Sequence, residues 1–99
     1  MIAKVAERLG VTAEMIESRE QLPHLTVVRW VYWTVLRDTF VYNTKHLSRI
    51  VDRSVSYVAK GVKHIDDALE MDEPEVLRLW AKVKDLPGEI EMEAIGVKN

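Results

Sequence analysis

Ninety-nine residues are enough for one domain around one hydrophobic core and too few for two. The composition is globular, 47% apolar and 30% charged, and the absence of cysteine excludes a disulfide scaffold and any thiolate-ligated zinc or iron–sulfur site. Net charge is only −2, yet it is unevenly spread: residues 43–65 hold five Lys/Arg (Lys45, Arg49, Arg53, Lys60, Lys63) against Asp52, whereas residues 66–93 hold ten acids and three bases. Such blocks predict a basic face backed by an acidic carboxyl end, or else two ordinary solvated faces. No apolar run approaches the roughly 18 residues that span a bilayer. Lys4, Glu7 and Arg8 interrupt the amino terminus before a signal-peptide core forms, so no membrane association and a cytoplasmic location are expected.

Apolar residues recur at helical spacing almost throughout, which predicts an all-α bundle of five to six helices. Ile2, Val5, Ala6 and Leu9 mark a short first helix stopped by Gly10, and Thr12 is placed to cap a second running to about Arg19. Gln21–His24, with Pro23, reads as a loop. Thr26 is the expected cap of a long, mostly buried third helix reaching about Phe40, with Leu25 and Trp30 as its hydrophobic staple. Asn43 caps a short fourth helix with Tyr42 and Leu47 as staple. Asp52–Arg53–Ser54 is a tight connection, and Ser54 caps a fifth helix to about Met71. Gly61 inside that helix costs roughly 1 kcal/mol against alanine, so it is expected where another element approaches closely. Asp72-Glu-Pro-Glu75 signals a sixth helix, capped by Asp72 and ending at Pro87–Gly88. Residues 1–86 are thus expected to form a single domain and 87–99 a loosely ordered acidic tail.

The fourth helix, tight turn and fifth helix, residues 43–70, have the pattern of a helix-turn-helix. Leu47, Ile50, Val55, Val58 and Val62 are the expected shared core, and Ser54, Ser56, Tyr57, Lys60, Lys63 and His64 the opposite, exposed face. Serine hydroxyls and lysine ammonium groups there suit base edges and phosphates in a major groove.

The segment Val5-Ala-Glu-Arg-Leu-Gly-Val-Thr-Ala-Glu-Met-Ile-Glu-Ser-Arg19 resembles the opening of the C-terminal DNA-binding domain of DnaA, the bacterial replication initiator. Arg29 and Arg37-Asp38 on the long helix, and Arg53-Ser-Val-Ser-Tyr-Val58 with Ile65 beyond it, fall where that family has its arginine, its basic–acidic pair and its R-D-H-[ST]-T-V signature. The resemblance covers about residues 3–70 and implies a Trp-repressor-like helical fold that binds double-stranded DNA in replication-linked or transcriptional control, associated with the nucleoid. It departs from the family at Ser54-Val55, which replace Asp-His, and at Glu20–Leu25, which hold no Lys or Arg where the family has a basic loop. One residue is missing between the two helices. No G-x-x-x-x-G-K-[ST] is present, so no ATP site is expected.

Arg29, Arg53 and Ser56 are expected DNA contacts because they match family positions. Lys45, Ser54, Tyr57, Lys60 and Lys63 join them on charge and helix geometry. No HExxH or other metal spacing involves His24, His46 or His64, and no nucleophile–base pair stands out, so neither a metal, a cofactor nor an enzyme is expected. Trp30, Tyr32, Trp33 and Trp80 read as core. Two other functions compete with DNA binding. One is a protein-interaction or self-association module, a homodimer or the partner of another protein, whose DNA face has decayed. The other is a ligand-gated repressor, since Asp72–Leu86 faintly resembles the last helix of the Trp repressor.

Overall fold

The computed structural model describes residues 1–88, and the expected tail beyond Gly88 lies outside them. The described residues form six helices and no strand: α1 (Ile2–Leu9), α2 (Ala13–Glu17), α3 (Pro23–Phe40), α4 (Thr44–Val51), α5 (Val55–Glu70) and α6 (Pro74–Val83). The boundaries follow from local chemistry. Gly10 ends α1 in the left-handed conformation (φ 72°). The side-chain oxygens of Thr12, Asn43 and Ser54 accept the backbone N–H of Met15, His46 and Tyr57, supplying partners that the first turns of α2, α4 and α5 lack.

Two expected starts move. α3 begins at Pro23, not after Thr26: proline at the first helical position has no N–H to waste and a φ already suited to the helix. Thr26 instead donates its hydroxyl to the Leu22 carbonyl one turn back. α6 is capped by Glu73, whose carboxylate accepts the N–H groups of Glu75 and Val76, while Asp72 turns the chain at φ 55°.

α3 is the axis of the fold and packs against each of the other five helices. Val28, Val31 and Val35 face a large cluster with Val5, Leu9 and Ile16 from α1 and α2, Ile65 from α5, and Val76, Leu79 and Val83 from α6. Trp33 and Leu36, on the adjoining side, meet Leu47 of α4 and Val58 and Val62 of α5. A helix with apolar residues on several sides is stable only where neighbours cover all of them. Trp33 is buried; Trp30, Tyr32 and Trp80 are half-buried against these clusters. Gly61 is where α5 meets the Trp30 ring: a Cβ there would stand 2.5 Å from the indole Cδ1. α3 ends on Val41, held at φ 55° and 86% exposed, a conformation that costs a β-branched residue about 1–2 kcal/mol.

Candidate nucleic-acid interface

Three residues join α4 to α5. Asp52 adopts the left-handed conformation (φ 55°), the Arg53 N–H returns to the Ser48 carbonyl at 3.0 Å, and Ser54 opens the next helix. Leu47, Val58 and Val62 hold the pair together as expected. Ile50 and Val55 do not: they are 49% and 45% exposed and face solvent rather than the core.

The first turns of α5 bury Val58 and leave the opposite face exposed. Ser54, Val55, Ser56, Lys60 and Lys63 are exposed, and so are Lys45, His46 and Arg49 along α4. Lys45, Arg49 and Lys60 form no ion pair among the described residues, whereas Lys63 donates to Asp67 at 2.9 Å one turn on. That hydrogen bond raises the Lys63 pKa above its usual value, so the ammonium is charged throughout the neutral range. Arg49, one turn after Lys45 on the same face, was absent from the expected contacts although its i+4 spacing was readable.

Tyr57 turns inward instead of facing solvent. Its ring meets Trp33 edge-on at 5.6 Å and Trp30 at 6.3 Å, pinning α5 to α3. With Arg19, Gln21, Arg29, Asp52, Arg53 and Ser54 it lines an open cavity of about 520 Å³ beside the turn.

The two arginines carried over from the family pattern hold the fold together. Arg29 is 4% exposed and cannot present its guanidinium to a phosphate. Its Nε donates to the Ile16 carbonyl (2.9 Å), Nη1 to the Glu20 carbonyl (2.6 Å), and Nη2 to the Met15 carbonyl (3.2 Å) and Ser18 Oγ (2.8 Å). These acceptors include carbonyls at the end of α2, which have no helical partner, and a cation suits the negative end of a helix. Burial, and secondarily the nearby Arg53, lower the Arg29 pKa. Arg53 is half-buried and folds back in the same way: Nη2 donates to the Glu17 and Ser18 carbonyls at 3.2 and 3.0 Å, and Nη1 to those of Val51 and Asp52 at 3.3 and 3.1 Å. Arg19 pairs with Asp52 at 3.3 Å across the same junction. Glu17, Ser18 and Arg19, just ahead of the Glu20–Leu25 stretch, are thus tied to the α4–α5 turn.

No group of three or more His, Asp or Glu side chains is arranged to hold a metal ion among the described residues. His46 lies 4.5 Å from the Tyr42 ring and His64 4.9 Å from the Trp30 ring, each imidazole tilted against its neighbour. No described helix is long and apolar enough to cross a membrane. No family model matches the chain, and no curated protein or solved structure is significantly similar to it.

Proposed function

We propose that this chain binds double-stranded DNA, with the first turns of α5 entering the major groove and α4 lying along the sugar–phosphate backbone. The observation that carries the reading is the exposed face of the first turns of α5: Ser54, Val55, Ser56 and Lys60 are exposed at a helix amino terminus, flanked by Lys45 and Arg49, which form no ion pair among the described residues. A helix start attracts phosphate through its dipole and free N–H groups. Serine hydroxyls exchange hydrogen bonds with base edges, and the methyls of Val55 and Ala59 suit a thymine methyl. Lys45, Arg49, Lys60 and Lys63 supply the sequence-independent attraction to phosphate. In this arrangement the pair acts as a helix-turn-helix, and Arg29, Arg53 and Tyr57 position it without touching DNA.

The resemblance to the DnaA C-terminal domain supports the same reading and a setting in replication-linked or transcriptional control. The lost Asp-His pair and the absent basic loop make the target different from the initiator's own binding box. Fluorescence anisotropy of a labelled random-sequence duplex tests the proposal. Binding is expected at micromolar protein and about 50 mM salt. The Lys45→Glu/Lys60→Glu protein, still fully helical by circular dichroism, is expected to lose it by about 100-fold. No binding by the unaltered protein under these conditions contradicts the proposal.

A further inference from the structure

Far from its basic start, α5 ends in surroundings of opposite character. Where it meets the beginning of α6, a groove of about 600 Å³ opens with an apolar floor of Val27, Ala68, Pro74 and Val76. Met71, at the lip, leaves α5 at its C-cap and is 80% exposed. An unbranched thioether with that freedom adapts to whatever side chain lies beside it. The rim is acidic: residues 66–75 hold six Asp/Glu and no base. Three of the six are already engaged, Asp66 by Arg37, Asp67 by Lys63, and Glu73 by the N–H groups it caps. Glu70, Asp72 and Glu75 have no cation partner among the described residues, so their charge is not neutralised within the described protein.

We infer that this groove docks a basic amphipathic segment of another protein, its apolar side chains seated on Val27, Met71 and Pro74 above the buried Ala68 and Val76, and its Lys or Arg residues against Asp72 and Glu75. Charge complementarity selects that occupant. DNA is repelled by the rim, and the chain's own sequence past Gly88 has the wrong sign, with Glu89, Glu91 and Glu93. An apolar floor with a like-charged rim is the arrangement that takes an amphipathic helix through anchors at i, i+3 and i+4. The rim charges speed encounter and choose the sign of the partner; the floor supplies the affinity. The inference stands independently of DNA binding.

The test is amide NMR of the isotope-labelled full chain, titrated with a lysine-rich peptide bearing leucines on one helical face. Its controls are a peptide of the same composition with the leucines scattered and one with glutamate for lysine. Saturable shifts centred on Ala68, Met71 and Val76 are expected, weakened about tenfold for the scattered peptide and abolished for the acidic one. The exposed substitution Met71→Lys and the pair Asp72→Asn/Glu75→Gln are each expected to weaken binding about tenfold while leaving duplex binding intact, so failure here is separable from failure of the DNA reading. Three results overturn the inference: no shifts at millimolar peptide, equal binding of the scattered peptide, or shifts centred on α4. Dilution-dependent shifts without peptide that link the groove to Lys45 and Arg49 would assign it to a second copy, which also overturns it.

Discussion

At one end of α5, Ser54, Ser56 and Lys60 stand clear of the protein beside the cations of α4; at the other, Met71 and the carboxylates of Asp72 and Glu75 surround a groove closed by α6. Sixteen residues, about 24 Å of helix, separate the two. The first end is polar, basic and held in place by side-chain-to-backbone bonds; the second is apolar at its floor and acidic at its rim. The difference shows why a net charge of −2 says little about partners. A field is set by where charges sit, and Lys60 and Met71, eleven residues or about 16 Å apart along the helix, are separated by more than one screening length of about 10 Å at about 0.1 M salt. Screening therefore weakens, without removing, the influence of each end on the other.

Substitutions that damage one end alone break this picture most severely when they strike its support. Arg29→Ala removes the cation that satisfies the Met15, Ile16 and Glu20 carbonyls and the Ser18 hydroxyl, and is expected to cost about 2–4 kcal/mol in urea unfolding. Hydrogen exchange should quicken first in α2 and the α4–α5 turn while α6 keeps its protection. Uniform quickening would mean that the ends are not separate.

Gly61 lies midway between them. Gly61→Ala places a methyl 2.5 Å from the Trp30 ring, and the about 1 kcal/mol of helix propensity gained does not offset the displaced indole. A net loss of about 1–3 kcal/mol, with a shift in tryptophan fluorescence, is expected. Unchanged or increased stability would show that the ring yields freely.

Relief of strain beside the basic end is smaller and opposite in sign. Val41→Gly removes a Cβ from a left-handed position at little loss of packing, since Val41 is 86% exposed, and should gain about 0.5–1 kcal/mol in urea unfolding without changing duplex affinity.

The smallest effect appears only in alkali. Burial, and secondarily Glu17, raise the Tyr32 pKa from 10 to about 12. Between those values the unfolded chain has released a proton that the folded one retains, so stability falls as pH rises. Tyr32→Phe is expected to remove this slope and leave behaviour at neutral pH unchanged; an identical slope in both proteins refutes the assignment.

The helices were legible because their signals are local. Thr12, Asn43 and Ser54 are residue types whose oxygens reach a backbone N–H three residues on, and Gly10 supplies a conformation other residues resist. Pro23 misled because the same ring that breaks a helix interior also begins a helix. The interface was less legible. Spacing gives the phase of Val55 and Ile50 but not whether a neighbouring helix covers them. Arg29 was expected at DNA from a resemblance alone, yet its acceptors lie nine to fourteen residues earlier, three of them backbone carbonyls that every sequence carries and one the Ser18 hydroxyl. The acidic groove requires α3, α5 and α6 to meet, which no single stretch of sequence records.

The salt dependence of duplex binding tests the central claim most directly. Three to four phosphate contacts, from Lys45, Arg49, Lys60 and Lys63, predict a log–log slope between about −2.7 and −3.6. The Lys45→Glu/Lys60→Glu protein should lose about two units of that slope, while Asp72→Asn/Glu75→Gln keeps it. A slope near zero, or one equally sensitive to changes at both ends of α5, would contradict the assignment of DNA binding to the basic end.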